Sequence, residues 1–224
     1  MALKGVIFDL DGVLVDTIPL HFAAWQRMFT EYGFTFDEKL YREKVDGRPR
    51  QDGVRNIMTT ADEATIKTAG DRKQAYFVEL IEQGQLRAFD TTVAFIKMLR
   101  ANNILLGAAS SSVNASAILD EIGVLGDFTT VVTAADVVHG KPHPEIFTMA
   151  AQRLGLSAAE CIVFEDARSG VEAAKKGKFV CVGVDRHAQP EYFSDADLVI
   201  SDLGDVDYEG LQSLLQGLNQ ESKS

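Results

Sequence analysis

Short apolar, β-branched runs punctuate this chain at Gly5–Asp9, Ile104–Ser110, Thr130–Thr133, Cys161–Glu165, Val180–Val184 and Asp197–Ile200. Continuous runs of this kind suit strands that are buried on both faces. Segments of helical period lie beside and between the later ones, at Val93–Arg100, Asn114–Ile122, Glu145–Leu154, Ser169–Lys176 and Tyr208–Leu218. Strands that alternate with helices pair in parallel through right-handed crossovers. The expected fold is therefore α/β: a doubly wound, mostly parallel sheet with a Rossmann-like core. Ligands of such sheets bind beyond the carboxyl ends of the strands.

One interval breaks the rhythm. Between the first strand and Ile104 there is no convincing strand, but Ile18, Phe22, Trp25, Phe29 and Tyr32 repeat at helical spacing and Gly33 follows as a C-cap. "RQDGVRNIM" and "DEATIKTAGDRKQAYFVELIEQG" continue in the same style. The reading is an inserted α-helical cap domain over residues 17–85, with a catalytic core formed by 1–16 and 86–224. Two chain crossings make a hinge, and an insert at a strand's carboxyl end can close over what binds there. The polar tail "NQESKS" is expected to fray.

The net charge of −11 over 224 residues argues against nucleic acid or an anionic membrane as partner, because both demand a basic face. A small phosphorylated ligand needs only a local positive pocket. Cys161 and Cys181 both lie in apolar runs and read as buried, reduced thiols, which makes the cytoplasm the expected location. No signal-peptide core and no apolar span of bilayer length is present. A soluble monomer is the expected state.

The strand ends hold the chemistry. In "VIFDLDGVLVD" the first strand ends at Asp9, with Asp11 two residues on. The second strand ends in the serines of "SSS", beginning at Ser110, and the fourth ends in Glu165 and Asp166. Lys141 lies in "GKPHP", where two prolines hold the loop extended. If these strands are neighbours, one mouth collects four acids, a lysine and a hydroxyl-rich loop. The acids would repel one another without a cation, and ligands that are all oxygen suit Mg²⁺ shared with water and a phosphate. Lys141 and Ser110 can hold phosphate oxygens. A carboxylate in this setting can attack phosphorus and become an aspartyl-phosphate, and a second carboxyl can protonate the leaving alkoxide. Asp9 as nucleophile and Asp11 as general acid/base fit that division.

"DLDGVLVDT", Ser110, "GKPHPEIF" and "FEDARSGVEAA" together resemble, in order, the four motifs of the haloacid dehalogenase superfamily. The resemblance implies the same roles for Asp9 and Asp11, with Asp11 also giving Mg²⁺ its backbone carbonyl, and Glu165 and Asp166 as further metal ligands. The carboxyl at Asp11 is similar to that of the phosphoryl-transfer members. Within the superfamily the chain resembles the β-phosphoglucomutase group. "DTIPLHFAAW" places Thr17, His21 and Trp25, "GRPRQD" places Gly47 and Arg50, and "DRKQAYF" places Lys73 at that group's cap positions for substrate. "SSSVNA" supplies Ser110, Ser112 and Asn114 toward phosphate. Two departures stand out: "FDTT" (Asp90, Thr91) replaces a usual Pro-Gly, and "KKGKF" replaces a small-residue turn.

The implied activity is the interconversion of β-D-glucose 1-phosphate and D-glucose 6-phosphate, with a sugar- or polyol-phosphate phosphatase as the alternative. A mutase passes through a bisphosphate, so a second phosphate needs its own cation, and Arg50 could grip it bidentately. A phosphorylatable receiver-like domain is disfavoured, because its acceptor Asp follows a middle strand and it needs no helical insert. Residue by residue, Trp25 lies on the apolar stripe of its helix and reads as cap core. His21 lies off that stripe and reads as an interface residue, while Arg50 and Lys73 fall on polar faces. His139, His143 and His187 show no metal-ligand spacing and read as surface residues.

Overall fold

The structure is a computed structural model that describes residues 2–45, 48 and 50–221. The chain divides into two compact units, one formed by Met1–Asp16 with Arg87–Ser224 and the other by Thr17–Leu86. The first opens with β1 (Gly5–Phe8) and β2 (Val15–Asp16). The second contains α1 (Ile18–Glu31), α2 (Glu38–Leu40), α3 (Arg50–Ile57) and α4 (Glu63–Glu82). The chain then returns through β3 (Arg87–Ala88), α5 (Thr92–Ala101), β4 (Leu105–Ser110), α6 (Ala115–Glu121) and β5 (Thr130–Thr133). It ends with α7 (Glu145–Leu154), β6 (Cys161–Glu165), α8 (Arg168–Lys176), β7 (Val180–Val184), β8 (Leu198–Ile200) and α9 (Tyr208–Glu221).

The main sheet has six parallel strands in the order β5-β4-β1-β6-β7-β8. This is the Rossmann-like, doubly wound architecture that the alternation of runs predicts. The chain winds from β1 through β4 to β5 on one side and from β6 to β8 on the other. That puts β1 at the switch point, where a crevice opens beyond the strand ends. Phe8 pairs in register with Ala108 of β4 and Phe164 of β6, so the residues just past all three positions share one edge.

Alternation along β1 sends successive side chains to opposite faces. Ile7 joins Val163, Phe147 and Val171 on one side. Phe8 meets Phe164 at 5.2 Å and Phe95 edge-on at 6.1 Å. Val6, Ile7 and Phe8 are all fully buried, which fixes the tip of the strand from both sides. Cys161 and Cys181 are free and buried, and burial pushes both thiols up, Cys161 to about 12.

Sequence reasoning found no strand at the two crossings, yet β2 and β3 form a two-residue antiparallel ladder there, Val15 opposite Ala88 and Asp16 opposite Arg87. Two residues carry no readable periodicity. In the helical unit, Trp25, Met28, Phe29, Tyr41, Val54 and Ile66 form the core. α1 closes at Gly33, whose φ of +80° is the left-handed conformation that glycine adopts without penalty. No helix among the described residues is long and apolar enough to cross a membrane.

Candidate active site

Asp9 stands one residue beyond β1, and its N–H still donates to Phe164 O at 2.9 Å, extending the ladder. The residue is 6% exposed. The chain then turns sharply, with Gly12 N–H donating to Val15 O at 2.9 Å. A Cβ on Gly12 would lie 1.9 Å from Asp166 Oδ2, on a backbone with φ of +77°. Both facts demand glycine. The turn between Asp9 and β2 is thus packed directly against Asp166, which follows β6.

Lys141 reaches in from the loop between β5 and α7. Its Nζ donates to Asp9 Oδ1 at 2.5 Å and to Glu165 Oε1 at 3.1 Å, and lies 4.9 Å from the Phe147 ring. The Lys141 side chain is only 7% exposed. Burial by itself would disfavour its charge, but Asp9 and Glu165 outweigh that and raise the Lys141 pKa above its ordinary value. Glu165 and Asp166 are pushed upward, first by burial and then by the negative charges around them. Glu165 Oε2 also accepts the Asp166 N–H at 3.0 Å.

Asp9, Glu165 and Asp166 can each bring one carboxylate oxygen within 4.8 Å of the others. One lysine against three clustered acids leaves excess negative charge in a largely buried pocket, which a divalent cation would neutralise. The donors are all oxygen, and the set is too small to enclose an ion without water or a phosphate. Such a set fits Mg²⁺. The Asp11 carboxylate is not a member of this cluster, although its charge is felt at Asp166.

Ser110 ends β4 and is fully buried. Its Oγ accepts the Ser112 N–H at 3.0 Å, and Ser112 Oγ accepts the Asn114 N–H at 3.2 Å. Asn114 occupies the N-cap position of α6 without a side-chain cap hydrogen bond. The register of β1 and β4, Phe8 opposite Ala108, brings Ser110 to the same carboxyl edge as Asp9, while Ser112 and Asn114 are seen shaping the loop.

Arg186, just after β7, carries no motif and was missed by sequence reasoning. Its Nε donates to Gly12 O at 3.0 Å and Nη2 to Val13 O at 3.3 Å, while Nη1 pairs with Asp202 Oδ2 at 2.7 Å. The guanidinium lies 3.6 Å from the Phe89 ring centre. The one available signal was its position after a strand on the same carboxyl edge.

In the helical unit one reading changes. Helical periodicity places Lys73 on a polar face, but the residue is 4% exposed. Its Nζ is 2.7 Å from His21 Nδ1, 4.7 Å from the Phe77 ring and 5.3 Å from Trp25. Aromatic faces and the imidazole replace the water that the ammonium gives up. His21 stacks on Phe77 at 4.0 Å, and burial, then the Lys73 charge, holds its pKa well below the ordinary 6.5. Trp25 is in the core, and Thr17 is buried at the start of α1. Arg50 lies along α4, with Nη1 donating to Gln74 Oε1 at 2.9 Å, Nη2 3.7 Å from Asp71, and a buried Nε that finds no hydrogen-bond partner among the described residues. Gly47 lies outside the described residues.

The histidine reading also needs correction. His139 and His143 are exposed, as expected, but they meet Glu145 with potential ligand atoms within 4.8 Å of one another. His187 stands apart, its N–H donating to Asp185 Oδ1 at 3.3 Å.

The family model for haloacid dehalogenase-like hydrolases matches residues 3–178. The chain belongs to this family. Among curated relatives of this haloacid dehalogenase-like chain, β-phosphoglucomutase of Bacillus subtilis (strain 168) is 33% identical over 216 residues, covering 92% of this chain and 93% of the relative. Fructose-1-phosphate phosphatase YqaB of Escherichia coli (strain K12) is 31% identical, covering 80% of this chain and 95% of the relative. The crystal structure of β-phosphoglucomutase from Clostridium difficile superposes with a TM-score of 0.83 at 28% identity, covering 96% of this chain and 98% of that one. Mutases and phosphatases thus both stand among the relatives of this haloacid dehalogenase-like enzyme.

Proposed function

We propose that the protein is an Mg²⁺-dependent β-phosphoglucomutase that works through phospho-Asp9. The observation that carries phosphoryl transfer is the buried Lys141 held between Asp9 and Glu165, with Asp166 alongside. Asp9, Glu165 and Asp166 would hold Mg²⁺ with the Asp11 backbone carbonyl, and bound Mg²⁺ supplies charge neutralisation for the phosphoryl oxygens. A carboxylate oxygen of Asp9 forms a bond to phosphorus as the ester P–O bond breaks, and the departing alkoxide takes the Asp11 proton. Lys141 offsets negative charge on the transferring group, and Ser110 donates to one of its oxygens. In the second half, Asp11 takes a proton from the accepting hydroxyl as phospho-Asp9 gives up its phosphoryl group.

The mutase reading is favoured over hydrolysis by the likeness to the Bacillus subtilis mutase across 92% of this chain. It is supported by Arg50, whose buried Nε has no hydrogen-bond partner among the described residues and whose guanidinium suits a second phosphate. The second reading, a phosphatase of small sugar phosphates, is favoured by the Escherichia coli relative. Incubation with β-glucose 1-phosphate, Mg²⁺ and a trace of the bisphosphate should yield glucose 6-phosphate. Stoichiometric release of free phosphate would instead make the enzyme a phosphatase. Asp11→Asn should still accept a phosphoryl group from acyl phosphates while ester turnover collapses, and unchanged ester turnover would refute the acid/base role.

A further inference from the structure

Lys141 is flanked in sequence by two histidines that the proposed chemistry does not use. His139 and His143 bracket the loop, and Glu145 opens α7. The loop doubles back on this glutamate. Glu145 Oε1 accepts the Val138 N–H at 2.9 Å, and Oε2 accepts the His139 N–H at 3.0 Å. The imidazoles then lie side by side, with ring centres 4.6 Å apart. Both present Nδ1 to the same carboxylate oxygen, His139 at 3.1 Å and His143 at 3.7 Å from Oε2.

That spacing is the spacing of a metal's coordination shell. Tetrahedral Zn²⁺ with bonds of about 2.0–2.1 Å to nitrogen and oxygen keeps neighbouring ligand atoms about 3.4 Å apart. We propose that His139, His143 and Glu145 form a second metal site, specific for an imidazole-binding divalent transition metal such as Zn²⁺ and distinct from the carboxylate site at Asp9. Two imidazoles and one carboxylate match three-protein-ligand zinc sites, and the exposed side leaves the fourth position to water. The donor set disfavours Mg²⁺, so the two sites divide the metals by chemistry. The metal replaces the proton on each Nδ1, and the hydrogen bonds that Val138 and His139 already give Glu145 hold the carboxylate in place. Occupancy ties both ends of the loop that carries Lys141 to the first turn of α7.

The test is equilibrium dialysis of the full chain against Zn²⁺ in saturating Mg²⁺, with bound zinc counted by elemental analysis. Wild type should retain one Zn²⁺ per chain and gain thermal stability from it. His139→Ala/His143→Ala removes two exposed side chains, so it should fold as wild type, as circular dichroism can verify. It should lose zinc affinity by more than the about 10–100-fold that even an outer partner of a metal ligand typically contributes. Asp166→Asn, which alters the carboxylate site, should keep its zinc. The proposal is overturned if wild type takes up no Zn²⁺ under these conditions, or if the double-histidine variant binds zinc as wild type does.

Discussion

The same substitution, glycine to alanine, should act in opposite directions on two helices of the sheet unit. Gly170 lies in the first turn of α8, next to the acids that end β6. A Cβ there would sit 1.5 Å from Glu165 Oε1, 2.0 Å from its Cδ and 2.3 Å from its Cγ. The conflict extends down the side chain, so turning the carboxylate alone does not relieve it. Glu165 is 1% exposed and is held by Lys141 Nζ and by the Asp166 N–H. Gly170→Ala therefore requires Glu165 to leave its place. Losing a hydrogen bond to a charged group costs about 1.5–3 kcal/mol and overpacking about 1–3 kcal/mol, against about 1 kcal/mol gained in helix propensity. Relief of crowding among the three acids moves the net cost toward the lower end, about 2 kcal/mol, or about 4–8 °C in Tm for a chain of this size. Gly217 in α9 meets nothing within 4 Å among the described residues, so Gly217→Ala should keep the propensity gain of about 1 kcal/mol. Thermal melts and a sugar-phosphate turnover assay on both variants decide the matter. Gly170→Ala should lose Mg²⁺ affinity and turnover by at least about tenfold, as sites do when a metal's partners are displaced, while Gly217→Ala keeps both. A Gly170→Ala enzyme as stable and active as wild type would show that Glu165 does not occupy this position.

Three further perturbations test other parts of the molecule. Burial raises the pKa of Glu165 and Asp166, so their protonated forms favour the metal-free fold; that contribution is complete below the ordinary carboxylate range and is lost as pH rises through the raised values. The Tm gained on adding Mg²⁺ should consequently be larger at pH 8 than at pH 5, and an equal gain at both would contradict the reading. Arg186→Met keeps an apolar contact with Phe89 but removes the donors to Gly12 and Val13, so stability should fall by about 1–3 kcal/mol and turnover of the remaining folded enzyme should also drop. Full turnover in that variant would remove Arg186 from any role in positioning the Asp9–Asp11 turn. Lys178 is exposed with φ of +61°, where a side chain costs about 1–2 kcal/mol and glycine's extra flexibility returns about 0.5–1 kcal/mol, so Lys178→Gly should raise stability by up to about 1 kcal/mol in a denaturant titration.

What could be read from the sequence follows from how each residue is held. The central strands β1, β4, β6 and β7 are buried almost throughout, and all six strands of the main sheet leave apolar runs whose ends fall within a residue of the observed ones. Parallel pairing then brings Asp9, Ser110 and Glu165 to one edge, so these strand-end residues could be placed before any side chain was seen. Lys141 is the intermediate case. A loop lysine is ordinarily solvated, and its burial became intelligible only through the acids it had to meet. Lys73 shows the opposite failure: helical periodicity records where apolar residues lie, and a lysine buried against Phe77, Trp25 and His21 registers as polar. Arg186 and the His139–His143–Glu145 group escape for a related reason. Their partners are backbone carbonyls, or a carboxylate reached by a loop folding back on itself, and neither leaves a repeat in the sequence. Spacings of four and then two residues match neither helix nor strand, so the two histidines seemed unrelated. Glu145 resolves this, because one carboxylate accepts two loop N–H groups and faces both imidazoles. A residue that sequence alone would assign to a favourable helix start is, in the folded chain, the point that organises the loop delivering Lys141 to Asp9.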